Sequence, residues 1–265
     1  GYPTYSSASR LAEAEIIPYD LKPENGWYPD FEELEKMDLS GVKIMWTNYP
    51  HMPTGAPASE TLYARLVEFG RQHNILICND NPYSFILNDC PLSILAQPGA
   101  KECCLELNSL SKAHNMAGWR IGMVAGNSEI ISQILKVKSQ MDSGMFKPLQ
   151  MAAVEALRQG PEWFAELNAE YARRRVLAGN IFDQLGVEYD RTSAGMFLWG
   201  KVGKSSGEAL SDRILYDAGV FITPGFIFGK NGEDYVRISL CAAPETLKNA
   251  AERISKITDL ESTAI

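Results

Sequence analysis

The most restrictive feature of the sequence is an alternation of strand and helix patterns between residues 42 and 80. VKIMWTNY (42–49) is typical of a buried strand, and ILICND (75–80) is a second short apolar run. Between them, residues 58–74 carry apolar side chains at helical spacing, with Ser59 as a candidate N-cap. This order predicts one β-α-β unit with parallel strands and a right-handed crossover.

The alternation continues further along the chain. CCLELNS (103–109) and IGMVAG (121–126) predict two more strands, and SEIISQILKVKSQM (128–141) predicts a helix. Ligands of open parallel sheets bind beyond the carboxyl ends of the strands. The pattern therefore predicts an α/β fold, a three-layer and mostly parallel sheet with helices on both faces, with its site at that edge.

The pattern changes after residue 145. Helical segments extend to about residue 185, interrupted at Gly160 and Pro161, and are followed by short strands and helices in mixed order. We predict two domains, a large one over residues 1–175 and a smaller C-terminal α+β domain over residues 176–265.

Composition excludes several function classes. The 33 acidic and 25 basic residues give a net charge of −8, which disfavours nucleic acid as a partner. No apolar run approaches the roughly 20 residues that span a bilayer, so neither a membrane segment nor a signal core is predicted. The five cysteines lie mostly in apolar strand-like runs and are predicted to be buried reduced thiols, with Cys103 and Cys104 on opposite faces of a strand. Cysteines and histidines show no metal-ligand spacing, and a cytoplasmic protein is expected.

The stretch LNSLSKAHNMAGWRIG (107–122) places Lys112 between a strand pattern and a turn pattern. Ser109 offers a hydroxyl group and Arg120 a guanidinium, which are common phosphate ligands. Gly118 and Gly122 permit close backbone approach. A lysine on a solvated surface needs no such neighbours, whereas one that forms a Schiff base with a phosphorylated aldehyde does.

Three further residues are candidates for the same site. Asp80 follows a strand and could hold a protonated pyridine nitrogen, although Asp-Asn-Pro is also a common turn sequence. Tyr83 could donate to a ring oxygen or could simply pack in the core. Arg237 lies in DYVRISL, where it could bind a carboxylate with two hydrogen bonds or could be an exposed strand residue.

Together these segments resemble the pyridoxal-phosphate-dependent aminotransferases of fold type I, classes I and II. SLSKAHNMAGWRIG is similar to the family's lysine motif, Ser-x-Ser-Lys followed by Gly-x-Arg-x-Gly. YPHMPTGA resembles its Asn-Pro-Thr-Gly turn, NDNPY its Asp-x-x-Tyr motif, and VFITPGFIFGKNGEDYVRISL its Pro-Gly turn and arginine strand. The resemblance extends over essentially the whole chain and implies transfer of an amino group between an amino acid and a 2-oxo acid.

The resemblance also implies roles for individual residues. Lys112 would form the Schiff base with pyridoxal 5'-phosphate and later move the proton of the substrate α-carbon. Asp80 would pair with the pyridine nitrogen, and Tyr83 with the ring hydroxyl group.

The remaining implied roles concern the phosphate, the ring face and the substrate. Ser109 and Arg120 would hold the phosphate, Tyr2 would stack on the cofactor ring, and Arg237 would bind the α-carboxylate of the substrate. Tyr2 could equally be a loose residue at a terminus. A homodimer is implied for the parent protein, because the family builds its active site across a two-fold axis.

Two departures from the family pattern stand out. Met52 occupies the position of the asparagine before Pro-Thr-Gly and has no comparable donor, and His51 could substitute for it only in part. The family also has an N-terminal part before GYPTY. We therefore expect this chain to be a shortened form that is itself weakly active or inactive.

Other activities fit the same cofactor residues. A β-lyase or a cyclopropane-forming synthase would be distinguished by its products, and a non-catalytic ligand-sensing domain by binding without turnover. The enzyme is expected either to have broad substrate specificity or to use an aspartate-like or diaminopimelate-like amino acid. No residue can be assigned that recognises the substrate side chain.

Overall fold

The computed structural model describes residues 1–203 and 205–262. Its α-helices in this part of the chain are α1 (Pro3–Leu11), α2 (Phe31–Leu34), α3 (Glu60–His73), α4 (Ala100–Cys103), α5 (Leu110–Ala113), α6 (Ser128–Met141), α7 (Lys147–Leu157), α8 (Pro161–Leu185), α9 (Gly207–Ala218) and α10 (Pro244–Ser262). Its strands are β1 (Ile44–Asn48), β2 (Leu76–Asp80), β3 (Cys104–Ser109), β4 (Gly122–Gly126), β5 (Glu188–Tyr189), β6 (Phe197–Lys201), β7 (Thr223–Pro224) and β8 (Tyr235–Ser239).

The chain forms two compact units, which are described separately. The lysine unit, which contains Lys112, consists of residues 31–50 and 57–166. The arginine unit, which contains Arg237, consists of residues 1–30 and 51–56 and of the described chain from Leu167 onward. The domain division at residues 175 and 176 stays a prediction, and the compact units differ from it because residues 1–30 group with the C-terminal region.

The lysine unit is built on a four-stranded sheet in the order β1-β2-β3-β4. The first three strands are parallel, and β4 pairs with β3 in the antiparallel direction. The predicted α/β class with a mostly parallel sheet is confirmed. Helix α6 has the predicted bounds, and its cap is the Asn127 side chain, which accepts hydrogen bonds from two main-chain N–H groups.

Helix α3 connects β1 to β2 and confirms the predicted β-α-β unit. The Ser59 hydroxyl group accepts a hydrogen bond from the N–H of Leu62, and Asn74 ends the helix in the left-handed conformation. Leu66 and Phe69 lie buried on its inner face. Each such side chain stabilises the fold by about 1.5–3 kcal/mol, so burial of this face holds the helix on the sheet.

A buried polar network connects the first two strands with α3. The Thr47 hydroxyl group donates to the side-chain oxygen of Asn79 at 3.0 Å, and the Asn79 amide donates to the Tyr63 hydroxyl group at 3.1 Å. Tyr63 in turn donates to the main-chain carbonyl of Tyr49 at 3.3 Å. Because buried polar groups are costly when unpaired, this network fixes the register of β1 against β2.

The arginine unit is built on an antiparallel sheet in the order β5-β6-β8-β7. Arg237 is central in this sheet, since it lies opposite Trp199 of β6 on one side and opposite Thr223 of β7 on the other. The Trp199 and Tyr235 rings are stacked with their centroids 5.0 Å apart, which supports the same part of the sheet. The short strands predicted for this region are present, and two of them, β5 and β7, have only two residues each.

Two predictions about the cysteines are wrong. Cys90 and Cys241 are exposed and not buried. Cys103 ends α4 and only Cys104 begins β3, so the two side chains do not alternate across a strand. Their sulfur atoms lie 3.8 Å apart, and all five cysteines are free thiols. Separately, no helix within the described residues is long and apolar enough to cross a membrane.

Candidate active site

Asp80 is the last residue of β2, and its position is fixed by both neighbouring strands. It pairs in register with Asn48 of β1 and with Leu107 of β3. The Asn48 side-chain amide also donates a hydrogen bond of 2.6 Å to the main-chain carbonyl of Asp80. The carboxylate therefore leaves the sheet at the carboxyl end of a central strand, where ligands of parallel sheets bind.

Lys112 lies in α5, the short helix that follows β3 directly. Ser109 ends the strand and caps this helix, because its hydroxyl oxygen accepts a hydrogen bond of 3.1 Å from the N–H of Ser111. The Ser109 hydroxyl group also lies 2.8 Å from the Ser111 hydroxyl and 3.2 Å from the Ile121 carbonyl. The end of β3 and the helix cap together fix the position of the Lys112 main chain, from which the side chain extends.

The segment after Lys112 returns to the same edge of the sheet. Leu110, Met116 and Ile121 form a buried cluster that packs against α7. Arg120 has a left-handed backbone conformation with φ of 54°, and its Nη1 donates a hydrogen bond of 2.8 Å to the Ala117 carbonyl. Its side chain is exposed. The segment after the helix cap thus carries an exposed guanidinium, a group that can bind a phosphate.

The two glycines of the lysine motif, Gly118 and Gly122, differ in how closely other protein atoms approach them. Gly122 pairs with Ser109, and a Cβ atom at position 122 would lie 2.8 Å from the main-chain oxygen of Asn108. This close approach requires glycine. A Cβ atom at Gly118 would meet nothing within 4 Å, so no neighbouring protein atom requires glycine there. The close approach of both glycines to a phosphate stays a prediction.

The N-terminal part of α8 supports the lysine helix, which the sequence did not indicate. Trp163 donates a hydrogen bond of 3.0 Å from its indole nitrogen to the main-chain carbonyl of Ala113. The Phe164 ring contacts His114 edge-on and stacks on Phe85. Burial lowers the pKa of His114. Trp163 and Ala113 are 50 residues apart, and no spacing in the sequence signals such a pair.

Tyr83 and Tyr2 lie in different units. Tyr83 is buried in the turn after β2, within the lysine unit, and its carbonyl accepts a hydrogen bond of 3.0 Å from the N–H of Ile86. Tyr2 lies in the arginine unit, directly before α1, with half of its surface exposed. Its ring meets Tyr5 edge-on at 6.0 Å.

Arg237 and Met52 are in contact within the arginine unit. The guanidinium Nη1 lies 3.5 Å from the Met52 sulfur, and the guanidinium carbon lies 4.2 Å and 4.7 Å from the ring centroids of Phe197 and Phe228. Met52 is buried, so the residue that replaces the family asparagine is part of the surroundings of this arginine.

His51 has the structural role that a buried histidine usually has. Its Nδ1 lies 2.8 Å from the Thr54 hydroxyl oxygen, and its main-chain N–H donates to the Ala56 carbonyl at 2.8 Å. Burial lowers the pKa of His51 to about 3, so the ring is neutral near pH 7. Its side chain therefore stabilises the turn that contains Met52.

Comparison with known proteins gives the family of the chain. Residues 1–254 match the family model described as aminotransferase class I and II. The chain belongs to this family. Class I and II aminotransferases transfer amino groups with pyridoxal phosphate as their cofactor, so the predicted family, fold class, type of reaction and cofactor are confirmed at that level.

Curated class I and II relatives are more than a third identical to the chain over the aligned residues. The LL-diaminopimelate aminotransferase of Natranaerobius thermophilus is 40% identical over 96% of the chain and 66% of its own length. That of Aquifex aeolicus is 38% identical over 97% of the chain and 67% of its own length. The chain thus spans about two thirds of the length of the curated relatives that it matches.

Solved structures agree with this assignment. Apo-BacF from Bacillus subtilis superposes with a TM-score of 0.91 at 36% identity, over 97% of the chain and 67% of the solved chain. The aromatic aminotransferase from Pyrococcus horikoshii gives a TM-score of 0.89 at 28% identity, over 99% and 72% respectively.

The donors of the lysine unit fit the cofactor of the family. An aldehyde requires an amine, a protonated ring nitrogen requires an anionic partner, and a phosphate requires hydroxyl and guanidinium donors. The lysine unit provides these groups on Lys112, Asp80, Ser109 and Arg120, at or after the ends of adjoining strands. Within the described residues, no group of three His, Cys, Asp or Glu side chains could hold a metal ion.

Proposed function

We propose that this protein transfers an amino group between an amino acid and a 2-oxo acid, with Lys112 as its catalytic residue. The observation that carries the proposal is the placement of Lys112 in a capped helix directly after β3, beside the strand that ends at Asp80. Such a placement at the carboxyl edge of a parallel sheet is where ligands bind in this class of fold.

Each polar side chain of the lysine unit then has a defined task. Pyridoxal phosphate, when bound, supplies an aldehyde and an electron-withdrawing ring. The Lys112 Nζ would accept the proton of the substrate α-carbon and pass it to the bound cofactor. The Asp80 carboxylate would stabilise a positive charge on the ring nitrogen. The Tyr83 hydroxyl group would donate a hydrogen bond to the ring oxygen, and Ser109 and Arg120 would bind the phosphate.

In the arginine unit we propose roles for Arg237 and Tyr2. Arg237 binds the α-carboxylate of the substrate through parallel N–H donors, a geometry that suits a guanidinium better than an ammonium group. Tyr2 packs on the face of the cofactor ring. Because the curated relatives named above are LL-diaminopimelate aminotransferases, LL-diaminopimelate is the amino donor to test first.

Two further proposals concern the whole protein. We propose that it is a homodimer, in line with the family's two-fold arrangement, and that it is cytoplasmic. The free state of all five cysteines supports a reducing compartment.

Borohydride reduction tests the site. The protein is incubated with pyridoxal phosphate, reduced, digested and analysed by peptide mass. We expect the label on Lys112 and no label at this site in Lys112→Ala. The control variant Lys101→Ala removes an exposed lysine of the same unit and should leave the labelling of Lys112 unchanged. Label spread over surface lysines would contradict the assignment.

A product assay tests the reaction. LL-diaminopimelate and 2-oxoglutarate are supplied together, and the new amino acid and 2-oxo acid are measured. Lys112→Ala is expected to lower the turnover rate by about 10²- to 10⁴-fold. Release of pyruvate and ammonia without amino transfer would indicate a lyase, and cofactor binding without any turnover would indicate a sensing domain.

A further inference from the structure

Two thiols lie side by side at the junction of α4 and β3, away from the candidate active site. Cys103 ends α4 and Cys104 begins β3, and their sulfur atoms are 3.8 Å apart. Ser109, which caps the lysine helix, lies at the other end of β3. A strand of this length spans roughly 17 Å, so the thiol pair is separate from the groups around Lys112.

The Cys103 thiol has space around it and a weak contact with the protein. Its sulfur lies 3.6 Å from the main-chain carbonyl oxygen of Val67, to which it donates, and a thiol is a weak donor. Position 70 is a glycine, and a Cβ atom there would lie 3.3 Å from the same sulfur. Val67 and Arg71 also line an open depression of about 540 Å³. A small reagent can therefore approach the half-buried Cys103 from the side of Val67.

The geometry of the pair favours a bridge of one atom over a direct disulfide bond. Adjacent Cα atoms are about 3.8 Å apart across a trans peptide, whereas disulfide-linked Cα atoms usually lie roughly 4.4–6.8 Å apart. An atom between the two sulfurs enlarges the ring and relieves this restriction. Two sulfurs bound at about 2.3 Å to one tetrahedral centre lie about 3.8 Å apart, which is the separation of Cys103 and Cys104.

We propose that Cys103 and Cys104 together bind one soft, thiophilic centre, with trivalent arsenicals as the ligand class. An arsenoxide, R–As=O, reacts with two thiols: two As–S bonds form, the As=O bond breaks, and the oxygen leaves as water with the two thiol protons. Arsenic stays trivalent, so neither an oxidant nor a reductant is consumed. Sulfur ligands select soft centres over the hard cations that bind oxygen. The narrower angle at arsenic requires only a small rotation of the side chains.

The advantage of the pair over a single thiol is that the second bond forms within one molecule. Burial raises the pKa of both thiols, so each alone is a slow nucleophile at neutral pH. Cys104 has no exposed surface, so Cys103 reacts first. The bound reagent then meets the Cys104 sulfur at a high effective concentration. Cys241, by contrast, contacts the thioether of Met196, which has no proton to release.

Native mass spectrometry with phenylarsine oxide tests the proposal on the intact folded protein. Binding to two thiols adds the mass of one reagent less one water, whereas binding to one thiol adds the mass of the whole reagent. We expect one adduct of the first kind per chain, located by peptide analysis at residues 103–104. Ethane-1,2-dithiol should release it, and a monothiol at the same thiol concentration should not.

Variants identify the two sulfurs. Cys103→Ser and Cys104→Ala should each raise the Kd for phenylarsine oxide by about 10²- to 10⁴-fold and abolish the adduct that has lost water. The control Cys90→Ser/Cys241→Ser, which removes both exposed thiols, should leave the Kd and the adduct unchanged. Circular dichroism verifies that each variant is folded. Because Cys103 is half-buried, Cys103→Ser decides the test even if Cys104→Ala impairs folding.

Three results would overturn the proposal. The first is an adduct with the mass of the whole reagent in the unaltered protein, and the second is a Kd that is the same in Cys103→Ser as in the unaltered protein. The third is a two-thiol adduct that survives Cys103→Ser, which would place the ligand on another pair, such as Cys78 with Cys104. None of these results bears on the proposed amino transfer, which labelling of Lys112 tests separately.

Discussion

The side-chain amide of Asn48 donates a hydrogen bond of 2.6 Å to the main-chain carbonyl of Asp80. The two residues are the last register pair of β1 and β2, so the bond closes the end of the parallel ladder where the candidate carboxylate is attached. A side chain of one strand thus takes over the role of the main-chain hydrogen bonds beyond the point where the strands end.

Asn48→Ala should lower the free energy of unfolding by about 1–3 kcal/mol, because the mutation leaves a partly buried carbonyl without this donor. Urea unfolding followed by circular dichroism measures the loss. Gln72→Ala, at an exposed position of α3, is the control and should change stability by less than about 0.5 kcal/mol. Equal effects of the two mutations would show that the bond contributes nothing.

Gly122→Ala should weaken binding of pyridoxal phosphate, because the added Cβ would lie 2.8 Å from the Asn108 oxygen and displace β4 from Ser109. Gly118→Ala is a matched control in the same motif, with open space around the new atom. Absorbance titration of each variant with the cofactor measures the affinity. Equal affinities in the two variants would refute the claim that the close approach at Gly122 supports the site.

His51 should make stability depend on pH. Its folded-state pKa of about 3 lies below the ordinary value of 6.5, so between these values the unfolded chain binds one more proton than the folded protein. The histidine contribution is therefore complete above about pH 6.5 and falls as the pH is lowered through this window, by up to about 1.4 kcal/mol per pH unit.

The measurement compares unfolding free energies of the natural sequence and His51→Gln from pH 7.5 to pH 4. The difference between them should narrow as the pH falls, because only the histidine protein must exclude a proton. A difference that stays constant with pH would show that the ring is not held neutral in the folded state.

Four of the five cysteines should react in two classes. Cys90 and Cys241 are exposed, whereas Cys78 and Cys104 are buried, and burial raises the pKa of Cys78 to about 12 and that of Cys104 further. A thiol reagent at pH 8, followed by peptide mass analysis, should label the exposed pair first and the buried pair only after unfolding. Rapid labelling of Cys78 in the folded protein would contradict the assigned burial.

Local patterns predicted much of the fold. Ser59 is predicted as a cap because a hydroxyl group directly precedes a helical repeat, and the bounds predicted for α6 agree with the structure, in which Asn127 caps the first turn. Helix α1 is not among the predicted elements, and it buries none of its residues. The strand prediction at Cys103 failed because the apolar run includes the last turn of α4.

Some features of the candidate site are recognisable from one short segment of the sequence, and others depend on contacts between residues that are far apart in it. Lys112, Ser109 and Gly122 are recognisable because their spacing along one short segment reflects a strand end, a helix cap and a close strand pair. The contact of Met52 with Arg237 joins residues 185 positions apart, and the support from Trp163 joins residues 50 apart. Such contacts form only when the chain folds and the sheets assemble. Regular spacing along the sequence therefore does not reveal them.

Strand β4 runs antiparallel to β3, and this pairing limits how the length of the connection between them can change. Because the chain turns back at the sheet edge, a single connection of twelve residues, 110–121, carries both the amine and the guanidinium. Insertions or deletions in that connection would alter the span between the two cations while the strands on either side keep their pairing. Three of its residues, Leu110, Met116 and Ile121, are packed against α7, so a tolerated change of length is expected in the exposed residues 117–120 that precede and include the arginine.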